Sequence, residues 1–401
     1  MSHPFRRVRV FVAGLCCLVM LPVFSAAQES RAEIIAEQQA EKAKRLAPYV
    51  PGTAERVLTR LQRGLVMSPG GAYPYFDSAY SGAGFTLGAG YRSFYGDRSQ
   101  WNLRGLYAVT ASKLIELSTD SVGHQGDRLD LHARVGWRDA TQAPFYGLGM
   151  DTSSEDRTNY RMKQAYGGGD LRVHMTPWAF VAGGVLVEDF NIEDGKGDEP
   201  PTDSVHTPES APGLGADPNY FHSTVSVGVD SRRSPGYSRR GGLYEIAYHN
   251  YADPDNTYSF DRADAEIIQH IPILRETWVV SLRGRLQTTL GESDVVPFFL
   301  LPALGSGSTL RAYSSWRFRD RHSMLTTAEW RWIPNRLAFD MALFYDAGMV
   351  ASRRQDLRLA DFRSGFGVGV RFHSPVATPL RVELAGGGEG LRVVFSGAAA
   401  F

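Results

Sequence analysis

The sequence predicts an all-β chain: a transmembrane antiparallel β-barrel, most simply of 16 strands with 14 clearly legible, behind a short N-terminal periplasmic helical segment. Three observations predict it. Apolar and polar residues alternate strictly over long segments, the chain opens with an export signal, and long loops alternate with short turns.

At the amino end, Arg6, Arg7 and Arg9 precede the apolar run FVAGLCCLVML, and VFSAAQES then offers small residues at Ser25 and Ala27. That order is a charged region, an apolar region and a cleavage site, so residues 1–27 are expected to be a signal peptide, with the mature chain beginning near Gln28. As a membrane anchor the run is short, about half of the roughly 20 residues a spanning helix needs. Cys16 and Cys17 both lie inside the signal, which leaves the mature chain without a disulfide, a thiol nucleophile or a cysteine metal site.

Residues 28–66 read differently from everything after them. SRAEIIAEQQAEKAKRLAPYV is rich in good helix formers, Pro48 and Pro51 interrupt it, and Thr53 is placed to cap a second short helix carrying Val57, Leu58, Leu61 and Leu65. The expectation is a periplasmic helical tether, too short for a folded domain of its own.

From 67 onward the chain is expected to be barrel. In LDLHARVGW, Leu129, Leu131, Ala133, Val135 and Trp137 share one face, while Asp130, His132, Arg134 and Gly136 share the other. AFDMALFYDAGMV and SGFGVGVRF repeat the division. A soluble sandwich also alternates, but with strands of about 5–6 residues. Segments of 10 or more match the length that a tilted strand needs to cross a bilayer. In lipid every backbone N–H and C=O must be paired internally, so strands can cross only as a closed barrel.

The legible strands fall near 82–94, 101–117, 126–138, 158–175, 178–190, 219–231, 240–252, 256–271, 274–289, 321–332, 337–349, 362–373, 379–387 and 391–401, and YPYFDSAY near 73–80 offers more. TPW (176–178), IPIL (271–274) and IPNR (333–336) are short links; 139–157, 191–218 and 290–320 are long. Outer-membrane barrels put short turns in the periplasm and long loops outside.

Composition excludes several functions. Lys and Arg total 43 against 43 Asp and Glu, and a chain with no basic excess lacks the footprint that nucleic acid requires. No G-x-S-x-G, no H-E-x-x-H and no compact metal-ligand spacing occurs, so neither an enzyme nor a cofactor is expected. The acidic, proline-rich stretch 190–219 lacks the ordered ligand spacing of a calcium loop and reads as a solvated outer loop.

One loop stands apart. GSGSTLRAYSSWRFRDR (305–321) is rich in Arg, Gly and aromatics between alternating segments. It resembles the sixth extracellular loop of the BamA and TamA superfamily, the bacterial surface-antigen barrels. The V/L-R-G-Y/F motif of that loop would be Leu310, Arg311, Ala312 and Tyr313 here. The resemblance implies that the loop folds into the barrel lumen as a latch. Arg311 would then pair with Asp346, in the F-x-D-x-G match Phe344, Asp346 and Gly348, and with Glu329 in TTAEWRW. A guanidinium, permanently charged and able to grip carboxylates with two N–H groups, suits that task. Ala312 departs from the family glycine, and a tip needing a positive φ would resist alanine.

VDSRRSPGYSRRGG looks like a periplasmic hairpin of the same family, and the last two strands end in Phe401, the aromatic residue that barrel-assembly machinery recognises. Family transporters and insertases carry periplasmic POTRA domains, and residues 28–66 cannot hold one, so the chain resembles a POTRA-less member. The resemblance implies protein insertion or translocation, with outer-membrane lipid, the assembly machinery during biogenesis and a polypeptide client as partners. The alternative is a passive pore or structural barrel without a client, since a lumen lined by Arg134, Arg283, Arg285, Glu329, Asp346 and Arg371 would equally conduct ions.

Overall fold

The structure is a computed structural model and describes residues 33–42, 70–75, 77–96, 98–274, 276–291, 296–334, 339–373, 378, 380–397 and 399–401. Residues 33–42 are helical, as their Ala, Glu and Gln content favours. The expected signal peptide, its cleavage near Ala27 and the second helix after Thr53 lie outside the described residues.

Strands build the rest. In chain order they are β1 (Gly71–Tyr75), β2 (Thr86–Phe94), β3 (Ser99–Ala108), β4 (Lys113–Gly123), β5 (Leu129–Phe145), β6 (Thr158–His174), β7 (Ala179–Asp194), β8 (Asn219–Asp230), β9 (Gly241–Ala252), β10 (Phe260–Ile273) and β11 (Trp278–Leu290). There follow two short strands inside a loop, β12 (Ala303–Leu304) and β13 (Phe318–Arg319). The wall resumes with β14 (His322–Trp332), β15 (Phe339–Ala351), β16 (Arg363–Phe372), β17 (Leu380–Gly387) and β18 (Gly390–Ser396). Leaving out β12 and β13, which pair with each other, the strands form one 16-stranded sheet in which each pairs antiparallel with its neighbours in sequence. No ladder joins β1 to β18 among the described residues.

The solvent pattern is that of a soluble protein turned inside out. Leu131, Val135, Ile246, Leu343 and Phe366 are exposed, whereas Arg311, Arg371, Arg381, Glu329, Asp346 and Glu383 are buried. Exposed apolar side chains on one face and paired charges on the other are what a lipid-facing wall with a polar interior requires. No described helix is long and apolar enough to cross a membrane; the crossing is made by strands.

Two readings of the sequence are corrected here. The segment 101–117 is not one strand but parts of β3 and β4, joined by a tight turn in which the Ala108 N–H donates to Ser112 O at 2.9 Å and Ala111 takes a φ of 62°. The turn sequence VTAS contains no Gly, Pro, Asn or Asp, so it carries no turn signal. YPYFDSAY yields β1, which ends at Tyr75. Splitting one strand and adding β1 turns the 14 legible strands into 16. At the other end β18 stops at Ser396 and does not run on to 401.

The longest connections, 146–157, 195–218 and 291–321, leave the same end of the sheet, where residues from several loops pack into one apolar cluster. The Phe298 ring lies 4.8 Å from both Phe145 and Tyr160, and Phe299 lies 5.4 Å from Phe190. Turns at the opposite end are shorter, and 231–240 is built to reach across it. Tyr237 donates to Asp340 at 3.0 Å and stacks on His373 at 4.0 Å.

Candidate functional site

The site is built from the sixth connection at the long-loop end, residues 291–321. Its neck is closed by β12 pairing with β13. Between them the chain turns tightly: the Trp316 N–H donates to Gly305 O at 2.7 Å and the Tyr313 N–H to Leu310 O at 3.0 Å. Gly305 is required there, since it holds a φ of +103° and a Cβ would lie 2.1 Å from Ser314 O. Leu310, Ala312 and Tyr313 are buried with Leu304, Phe318, Leu325, Phe344 and Ala385.

Arg311 is gripped from three strands. Its Nε and Nη2 donate to the two Asp346 oxygens of β15 at 2.7 and 2.8 Å, and its backbone N–H donates to the same carboxylate at 3.2 Å. Nη1 donates to Glu329 of β14 at 3.1 Å and to Glu383 of β17 at 3.0 Å. The guanidinium carbon sits 3.4 Å from the centroid of the Phe344 ring, a cation–π arrangement in a dry setting.

Two further arginines complete the charge balance. Arg371 of β16 donates to both Glu329 oxygens, with one bond at 2.6 Å, and to Glu383 at 3.1 Å. Arg381 of β17 donates to Glu383 at 3.0 Å and to Gly307 O of the loop at 2.6 Å. Three guanidiniums therefore face three carboxylates, all of them at most 3% exposed. Such a network is a weak source of net stability but is costly to break, because removing one member strands a buried charge.

The loop is also tied to the wall on either side of the cluster. Arg283 of β11 donates to Ser308 O at 2.7 Å, and Arg392 of β18 donates to Ser314 Oγ at 2.7 Å. Tyr313 OH reaches Ser364 O at 3.2 Å. Gly348 lets the loop neck approach, since a Cβ there would lie 3.0 Å from Leu304 Cδ1 and 2.7 Å from Met324 O.

A model of the Omp85 superfamily domain matches residues 94–387. The chain belongs to the Omp85 superfamily. Among solved structures it is similar to BamA from Haemophilus ducreyi lacking POTRA domains 1–3, at 15% identity and a TM-score of 0.56, over 86% of this chain and 78% of that one. It is also similar to CdiB from Escherichia coli, at 11% identity and a TM-score of 0.55, over 81% of this chain and 61% of that one. At such identities these likenesses concern the fold. No curated protein matches. The chain is accordingly a Gram-negative outer-membrane β-barrel of the Omp85 superfamily, a family of transporters and insertases.

Within this Omp85 barrel, Ala312 stands where the sequence resemblance has glycine, and the wall accommodates it. Ala312 keeps an ordinary φ, and its methyl lies where the Cβ of residue 365 or 387 would be, 2.4 and 2.8 Å from those positions. Both are glycines, so the missing tip glycine is compensated by space on β16 and β17.

Sequence reasoning missed Glu383 and Arg381 as members of the site. The period-2 pattern of LRVELAG puts Arg381, Glu383 and Ala385 on one face, so charge on the interior side was a usable signal. It also missed Arg317 and Arg319. Arg317 holds Glu389 at 2.6 Å and Thr152 Oγ1 at 2.7 Å; Arg319 donates to Phe298 O at 2.9 Å. Phe401 lies beyond β18 and turns to the interior, its ring 6.1 Å from His270 and 5.8 Å from the Arg283 guanidinium. A polar cavity of about 590 Å³, lined by Arg104, Glu116, Asp120, His132 and Arg134 among others, occupies the interior beside β2–β9.

Proposed function

We propose that this barrel inserts or translocates polypeptide across or into the outer membrane, with loop 291–321 as an internal latch and its long-loop end outside the cell. The observation that carries the reading is the placement of Arg311, whose three carboxylate partners lie on β14, β15 and β17. Those strands lead to β18, the edge strand that Arg392 links to the same loop.

An unpaired strand edge in a membrane protein is a row of unsatisfied N–H and C=O groups, which a client strand can satisfy by pairing. Edge strands β1 and β18 are short, 5 and 7 residues against 17 in β5, so little pairing would have to be displaced for a client to enter. By tying the loop to the strands behind that edge, the latch sets how the edge is presented. The short turns and the helical segment 28–66 then face the periplasm. Phe401 serves as the assembly signal before folding, since in the folded chain its ring is turned inward.

The test is quantitative proteomics of the outer membrane and medium after deletion of the gene, with wild-type and Arg311→Ala complementation. Loss of one client or a small set, restored by the wild type and not by the variant, is the expected result. Unchanged protein levels, together with ion conductance that rises in Arg311→Ala, would replace this reading with that of a plugged passive pore.

A further inference from the structure

The loop 352–362 does not rise from the barrel mouth; it folds down over the lipid-facing side of the wall. On β15, the outward-pointing Met341, Leu343 and Tyr345 are 45–50% exposed, but Ala347, Met349 and Ala351 on the same face are only 4–6% exposed. The loop covers them. The Arg358 N–H approaches Met349 Sδ at 3.1 Å, and Arg354 Nε donates to Thr288 Oγ1 at 3.0 Å. Thr288 shares the outward face of β11 with exposed Leu282 and Leu286, and it bonds His322, which shares the outward face of β14 with Trp330.

The strap is basic where its neighbours are acidic. Residues 352–363 contain Arg353, Arg354, Arg358 and Arg363 against Asp356 and Asp361, whereas the connection 195–218 carries Lys196 against Asp198, Glu199, Asp203, Glu209 and Asp217. Asp356 is engaged by Arg353 at 2.7 Å. Arg354 and Arg358 are exposed and have no carboxylate partner among the described residues. Leu359, beside them, is 70% exposed. A draped segment with free guanidiniums and a protruding leucine, at the outer rim of a membrane-spanning wall, has the chemistry to hold a phosphorylated lipid: bidentate N–H donors for the phosphate and an apolar side chain for the acyl region.

We propose that the 352–362 strap is a docking surface for a phosphate-bearing glycolipid of the outer leaflet, held by Arg354 and Arg358 with Leu359 in its acyl layer. This rests on the orientation given above, which puts the long-loop end outside.

The experiment uses the full chain purified in detergent, with bound bisphosphorylated lipid A counted by native mass spectrometry. Two arginines at a lipid headgroup imply about 30-fold weaker retention in Arg354→Gln/Arg358→Gln. Dephosphorylated lipid A should be retained on the wild type as weakly as bisphosphorylated lipid A is on that variant, a comparison that needs no mutant. Equal binding of the two lipids, or undiminished binding by a variant that keeps the heat-modifiable mobility of a folded barrel, overturns the proposal. Binding in detergent is independent of orientation, which labelling of the long loops on whole cells reads separately.

Discussion

The contact between Ala312 and the wall gives a sharp test of where the loop tip lies. A methyl introduced by Gly387→Ala would sit 2.8 Å from the Ala312 methyl, far inside the roughly 3.5–4.0 Å optimum for two carbons. Its other neighbours, Ser364 O at 3.3 Å and Tyr313 Cε2 at 3.5 Å, can be accommodated, and Gly387 has no positive φ to defend. Overpacking of this kind costs about 1–3 kcal/mol. Ala312→Gly alone loses a buried methyl, about 0.8 kcal/mol, and adds backbone freedom of about 0.5–1 kcal/mol. In the double variant the methyl moves from loop to wall and the clash disappears, so its destabilisation falls below the sum of the singles by about 1–3 kcal/mol. Urea unfolding of each variant in lipid vesicles, followed by tryptophan fluorescence and heat-modifiable mobility, measures that coupling. Additive effects, or a neutral Gly387→Ala, would refute the packing of the tip against β17.

Three further outcomes follow from the same geometry. Arg311→Ala leaves Asp346, Glu329 and Glu383 facing only two guanidiniums, a loss of about 3–5 kcal/mol, and exposes loop 291–321 to trypsin, which the wild type resists. A protease site inserted between Thr110 and Ala111 is tolerated and cleavable in the folded barrel, because that position is a turn; a single strand over 101–117 would be broken by it. Burial against Phe145 lowers the His206 pKa, so the folded state favours the neutral ring. Stability from this residue is present above the unfolded value of about 6.5 and is lost as pH falls through it, and His206→Phe should flatten that slope between about pH 7 and 5.

Much of this was legible because lipid imposes a strict rule. Every wall strand must show apolar side chains outward and can hide charge inward, so LDLHARVGW and SGFGVGVRF announce both strand and face. What the rule does not specify is where a strand stops. The turn after Ala108 is made by hydroxyl and backbone bonds, such as Ser112 Oγ to Thr141 Oγ1 at 2.8 Å, whose partner lies far along the chain. The tail beyond Ser396 likewise leaves the ladder without a Pro to mark the point. In the site, Arg311, Asp346 and Glu329 were readable from a motif, whereas Glu383 enters through the register that places β17 beside β16, with Gly369 opposite it and leaving room for its side chain.

The charge balance of the cluster bears on how such a loop could ever move. With the loop in place, three guanidiniums and three carboxylates satisfy one another in a dry site; were it withdrawn, Arg371 and Arg381 alone would face Asp346, Glu329 and Glu383. That surplus carboxylate is tolerable only in water or beside another cation. Withdrawal therefore has to be coupled to hydration of the interior between β14 and β17 or to arrival of a basic group from elsewhere, and the wet cavity beside β2–β9 lies in that same interior. A purely apolar tip would slide out with a graded loss of packing. An arginine held from three strands instead lets go as a unit, and this makes the loop a two-state element and the strands behind the β18 edge its readout.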